Sequence, residues 1–199
     1  MLKSIILLSF LTIGNLYAAY YDDVRLGDPE YGGTGCPAGS AAVALSPDAQ
    51  SLSILFDSFV VEAGGGLNTV GRKNCNIAVP VHVPSGYSIS VFQIDYRGFN
   101  YLPIGATSRF SVEYFFAGTR GPSYNKTFYG LLNENYLIAN SLIGTNLSWS
   151  KCGDSVTLRA NTTMMVNNPS VRDTAMSTVD SVDIDAGIYF RLNWRPCSN

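Results

Sequence analysis

Residues Lys73 to Gly98 read KNCNIAVPVHVPSGYSISVFQIDYRG, and the two-residue period inside this stretch decides the fold class. Val79, Val81 and Val83 fall on one face of an extended arm, and Pro84-Ser85-Gly86 supplies a turn. In the second arm Tyr87, Ile89 and Val91 share a face, opposite Ser88, Ser90, Phe92 and Ile94. The pattern predicts a β-hairpin with Cys75 at its root, broken at Asp95-Tyr96-Arg97-Gly98.

The same period recurs outward from it. Leu52 to Val61 alternates, and Phe110, Val112, Tyr114 and Phe116 alternate with Arg109, Ser111, Glu113 and Phe115. Asp154 to Val166 and Ile188 to Trp194 repeat the pattern, while Ser40 to Leu45, Lys126 to Leu132 and Ile138 to Ile143 are shorter candidates. No segment sustains a helical period, and one short helical turn is expected around Ser170 to Met176. The polar stretch Tyr20 to Gly39 reads as a wrap along a sheet edge. About nine or ten short strands predict an all-β, single-domain antiparallel β-sandwich, with a closed barrel as the alternative.

Of 199 residues, 46% are hydrophobic and only 14% charged, enough apolar surface for a sizeable core. Met1 to Ala18 has a basic start at Lys3, an apolar run from Ile5 to Ile13 and a small-residue exit, which is a secretory leader of bacterial appearance. Its apolar run is shorter than the roughly 20 residues that span a bilayer, so no membrane span is expected after removal. The mature domain is then 19–199, with cleavage after Ala18 or, second, Ala19. Without Lys3 the chain has 12 basic against 15 acidic residues, a net of −3, and no basic stripe for nucleic acid.

Four cysteines in an exported chain predict two disulfides, with three pairings open on paper. Trp149-Ser-Lys-Cys152 and Trp194-Arg-Pro-Cys197 share a spacing that suggests comparable strand ends and favours Cys152–Cys197. Cys36–Cys75 follows. No Cys-x-x-Cys is present, so both bridges read as structural.

The chemistry-bearing residues are sparse. A nucleophilic triad or a zinc site would lean on His82, the one histidine, which sits inside a strand pattern between Val81 and Val83. Asp57, Asp95 and Glu113 lie in or beside strands and would suit glycoside hydrolysis if two stood about 5 to 9 Å apart across a cleft. Turn bonding, or pairing of Asp95 with Arg97, is the simpler role. Asp180, Asp183 and Asp185 form the densest acidic group, a weak calcium candidate because the spacing departs from an EF-hand. Tyr96, Arg97, Phe99 and Tyr101 cluster past the hairpin, and aromatic faces beside Arg and Asn suit stacking on sugar rings. No cofactor is called for.

Seven stretches then occur in a telling order: Gly33-Thr-Gly-Cys-Pro-Ala-Gly-Ser40, Phe56-Asp-Ser-Phe59, Lys73-Asn-Cys75, Pro84-Ser-Gly86, Asp95-Tyr-Arg-Gly98, Trp149-Ser-Lys-Cys-Gly153 and Trp194-Arg-Pro-Cys197. Together they resemble the secreted fungal and bacterial proteins of domain of unknown function 4360, over nearly the whole mature chain. The resemblance implies an exported, disulfide-bonded β-rich domain and no assigned activity. Thr178 to Asp185 departs from the Asp-Ser-Thr-Asp-Gly-like turn expected there. The expected function is a non-catalytic surface, matrix or glycan-binding module, with a polysaccharide or cell-surface component as partner. A carboxylate-based glycan hydrolase is one alternative, and a structural envelope or host-interaction protein another.

Overall fold

The computed structural model describes residues 24–142, 147–179 and 188–197. These form thirteen strands and no helix: β1 (Arg25–Leu26), β2 (Glu30–Gly32), β3 (Ala41–Leu45), β4 (Ser51–Phe56), β5 (Val60–Gly64), β6 (Val70–His82), β7 (Tyr87–Leu102), β8 (Thr107–Phe116), β9 (Ser123–Tyr129), β10 (Leu132–Ser141), β11 (Val156–Asn167), β12 (Thr174–Thr178) and β13 (Ile188–Pro196). One antiparallel sheet runs β1-β6-β11-β8-β9, with β2 also on β6. The other runs β3-β4-β13-β7-β12-β5, with β10 on the remaining edge of β7. The two sheets form an open sandwich, not a closed barrel, and the expected leader, residues 1–18, lies outside the described residues.

The central stretch is not a hairpin. β6 and β7 lie in different sheets, and Pro84 to Gly86 carries the chain across the core between them. Turn chemistry explains the difference. Tyr87 N donates to Pro84 O at 3.2 Å, and Gly86 has φ +83° while Ser85 has an ordinary negative φ. A positive φ at the third turn residue alone is the type II signature, which splays its flanking strands, whereas tight hairpins use the primed turns. Val79, Val81 and Val83 therefore face Ile89 and Val91 from opposite layers of one core.

β7 also runs straight through Asp95-Tyr96-Arg97-Gly98, where a break was expected, and continues to Leu102. A bulge changes its faces. Leu192 of β13 sits opposite Val91 and Arg191 opposite Gln93, leaving Phe92 without a partner in the ladder. That extra residue inverts the alternation, so Ile94 and Tyr96 point inward like Ile89 and Val91 below them. Leu142 N donates to the freed Phe92 carbonyl at 2.9 Å.

Two more elements differ from the expectation. Leu52 to Val61 is two strands interrupted at Asp57 to Phe59, and the expected helical turn near Ser170 gives way to β12. The strand β12 turns Ala175 and Ser177 inward, and buried Ser177 donates its hydroxyl to Asn100 Oδ1 at 2.6 Å. Ser108 bonds the same oxygen from the opposite sheet at 3.0 Å, so a polar stitch joins the layers.

Tyrosines fill much of the interior. Tyr96 is fully buried, its ring 4.8 Å from Phe110 and stacked at 6.1 Å on Tyr124. Tyr136 reaches from β10 across Gly98 to donate to Thr178 O at 2.7 Å. A Cβ on Gly98 would sit 2.5 Å from the Tyr136 hydroxyl and 2.1 Å from Thr178 O, so only glycine lets that ring pass. Burial pushes the Tyr114 phenol up to about 12 and pushes Tyr96 and Tyr136 upward as well. A raised folded-state value favours the native state below the ordinary tyrosine value of about 10 and loses that contribution as pH rises through the folded value. Stability, measured as urea midpoint, is therefore expected to hold up to about pH 10 and fall between there and pH 12 and beyond. Tyr114→Phe should flatten the fall. A midpoint unchanged at pH 12 would refute the assignment.

Four connections cross between the sheets at one end, here the upper end: residues 65–69, 103–106, 130–131 and 168–173. Gly65 N donates to Ser170 O at 3.1 Å, and Gly130 N to Ala106 O at 2.9 Å, tying these turns in pairs. Among the described residues, eight large hydrophobic side chains are exposed, and seven stand at this end: Leu67, Val70, Tyr101, Ile104, Tyr129, Leu131 and Val171.

Candidate functional site

Above the Phe92 bulge, alternation along β7 sends every odd-numbered side chain to the outer face of its sheet. Asp95, Arg97, Phe99 and Tyr101 thus form a file on one surface while Tyr96 is in the core. The expected cluster loses Tyr96, which has no solvent-facing ring to offer, and keeps Arg97, Phe99 and Tyr101. Arg97 and Phe99 are half-buried, and Tyr101 is 42% exposed.

Neighbouring strands widen the file into a shelf. On β10, Leu137 lies opposite Arg97, Asn135 opposite Phe99 and Asn133 opposite Tyr101. On β12, Met176 lies opposite Tyr101. Asn133, Asn135 and Leu137 are exposed, so two carboxamides flank two aromatic rings, each carboxamide able to donate and accept. These flanking residues were not singled out in the sequence. Their signal was the period-two run Asn133, Asn135, Leu137 against inward Tyr136 and Ile138, which begins before the shorter strand expected at Ile138 to Ile143.

The carboxylates are dispersed. Asp95 is 9% exposed on this outer face, accepting from Gln93 Nε2 at 2.8 Å and pairing with Arg191 at 3.4 Å. Arg191, not the expected Arg97, makes that ion pair, because on the neighbouring β13 it lies opposite Gln93, one outward position away from Asp95. Glu113 is exposed on β8, whose inward residues are Val112 and Tyr114, so it faces outward from the other sheet. Asp95 and Glu113 are thus on opposite outer surfaces with the whole core between them. Asp57 lies exposed in the β4–β5 turn, its backbone N bonded to Ser40 O at 2.9 Å.

His82 ends β6 exposed, its Nδ1 3.3 Å from Ser155 Oγ. Asp180, Asp183 and Asp185 lie outside the described residues. Among the described residues, no group of three or more His, Cys, Asp or Glu could hold a metal ion, and no helix is long and apolar enough to cross a membrane.

Both disulfides pair as expected. Cys36–Cys75 links the β2–β3 turn to β6, and Cys152–Cys197 links the β10–β11 connection to the end of β13. The two Trp-x-x-Cys segments do lie together at the lower end. Trp149 bridges Ser90 on β7, and the Arg195 guanidinium sits 4.1 Å from its ring centroid. Trp194 donates its indole N–H to Ala49 O at 3.0 Å.

The model of the family described as domain of unknown function DUF4360 matches residues 22–197. A relative from Arthroderma benhamiae (strain ATCC MYA-4681 / CBS 112371), described as an uncharacterized secreted protein, is 33% identical over 180 residues, spanning 89% of this chain and 74% of the relative. The bacterial origin expected from residues 1–18 finds no support in this relative, which is fungal. With the family model covering the sandwich from before β1 to its last cysteine, this chain belongs to the DUF4360 family.

Proposed function

We propose that this protein is an exported, non-catalytic module that binds glycan on the shelf of Arg97, Phe99 and Tyr101. The observation that carries the reading is the co-facial file on β7, flanked by exposed Asn133 and Asn135. Aromatic faces supply apolar contact to a sugar ring, and the carboxamides and guanidinium supply directional bonds to its hydroxyls. The rigid sheet beneath holds the groups in place before binding, which lowers the ordering cost. Separation of Asp95 from Glu113 by the core argues against their acting as a hydrolytic pair.

The test is retention of mature protein on insoluble polysaccharides, with released sugar assayed in parallel. Wild type should deplete from solution without release, and Phe99→Ala/Tyr101→Ala should bind about tenfold more weakly, the loss of about 1.4 kcal/mol. Released sugar would replace this reading with the hydrolase. Equal depletion of wild type and a folded double variant would remove the shelf. A second reading, a surface-interaction protein, is favoured by the apolar side chains at the upper end.

A further inference from the structure

We infer that the upper end of the sandwich docks on the headgroup–acyl boundary of an electrically neutral lipid bilayer, with Ile104, Leu131 and Val171 as the inserting tips. This goes beyond the glycan shelf and does not depend on that reading, although Tyr101 and Asn133 border both surfaces.

Three observations carry the inference. First, the tips are the most exposed large hydrophobic residues at this end, at 80%, 74% and 78%, and each stands on a different sheet-crossing turn. Soluble domains rarely gather such side chains without a partner. Second, the turns are fixed before any partner arrives. Asn168 is fully buried and donates to Ala63 O and Asp173 O, so the 168–173 turn is pinned from within. Ala106 N bonds Pro103 O at 3.0 Å, closing the turn that bears Ile104. Little conformational entropy is then lost on insertion.

Third, shape and charge favour a fluid, neutral occupant. Two of the tips, Ile104 and Leu131, line a groove of about 450 Å³ together with Tyr101, Pro103, Asn133 and Asp173. A protein partner would have to fill this groove with a matched surface, whereas mobile acyl chains and headgroups conform to it. Among the described residues within three positions of these turns, Arg72, Arg109 and Arg172 balance Glu62, Glu134 and Asp173, so the tips carry no net positive charge to select anionic lipid. Tyr101 and Tyr129 sit at strand ends behind the tips, where amphipathic rings meet an interface between apolar and wet surroundings.

The experiment is co-sedimentation of mature protein with sucrose-loaded phosphatidylcholine vesicles, with and without phosphatidylserine, at 0.1 and 0.5 M NaCl, beside analytical ultracentrifugation without lipid. Wild type should bind at both salt concentrations within about twofold. The variant Ile104→Asp/Leu131→Asp/Val171→Asp should bind at least tenfold more weakly and keep its melting temperature, since all three side chains are largely exposed. It should keep polysaccharide retention too, while Phe99→Ala should keep vesicle binding, so the two surfaces fail independently. If the triple variant melts early, the single Ile104→Asp variant is read instead and should bind at least threefold more weakly. Absence of binding to neutral vesicles overturns the inference. So does binding that requires anionic lipid and vanishes at 0.5 M NaCl. A wild-type dimer abolished by the triple variant, without vesicle binding, would make this end a self-association face instead.

Discussion

Tyr96→Ala is expected to destabilise the fold by about 4 kcal/mol, the usual cost of removing a large aromatic side chain from a closed core. Its ring is fully buried, touches Phe110 and stacks on Tyr124, so the cavity would open between the two sheets. For a domain of this size the melting temperature should fall by roughly 8 to 16 °C. Tyr96→Phe is expected to act in the opposite direction. The Tyr96 hydroxyl has no hydrogen-bond partner among the described residues, so deleting it removes a buried polar group without orphaning another. A gain of about 1 kcal/mol should follow. Thermal melts and polysaccharide retention of both variants give the readout. An unchanged melting temperature for Tyr96→Ala, together with lost retention, would return Tyr96 to the binding surface and overturn its place in the core.

Tyr96 also marks where sequence reading stops. Thr107 to Phe116 and Ile188 to Trp194 were legible because each alternates without interruption and buries its apolar face, and observed burial follows that pattern. The disulfide pairing was legible because Trp149 and Trp194 repeat one spacing at two chain segments that do meet. On β7 the alternation changes sign at Phe92, and the cause is the register of β13, almost a hundred residues later. No local pattern encodes that. Strand β12 was hidden for another reason. Its inward Ser177 is polar and becomes a core residue only because Asn100 waits opposite to accept its proton. A hydrophobic period cannot register a buried pair whose members satisfy each other. The Pro84-Ser85-Gly86 turn carried its own signal, since a glycine in third place favours the type II turn, which splays its strands. Of the shelf, Arg97, Phe99 and Tyr101 were found from composition, but which rings share a face depended on the bulge.

Removing either disulfide should cost about 4 kcal/mol by the chain-entropy estimate, since the bridges close loops with sequence separations of 39 and 45 residues. Their vulnerability to reductant should nevertheless differ. Cys36 and Cys75 are both fully buried, and Gly35 N bonds Asn74 O at 2.8 Å beside them, so thiolate attack needs the core to open. Cys152 is exposed and Cys197 half-buried at the lower end. Under graded dithiothreitol with rapid alkylation, Cys152 and Cys197 should label first, while Cys36 and Cys75 label only as the protein unfolds. Loss of the outer bridge should also loosen the stretch from Lys73 to Gly98 at its turn. Cys197 N donates to Gly86 O and Gly153 N to Tyr87 O, both at 2.8 Å, so residues joined by this disulfide hold the crossing between the sheets. Amide exchange in Cys152→Ala/Cys197→Ala should therefore rise at Ser85 to Ser88 before it rises at Cys75 to Val81. Simultaneous labelling of all four cysteines would refute the ordering, and exchange rising first at Cys75 to Val81 would show that the crossing is anchored from β6 instead.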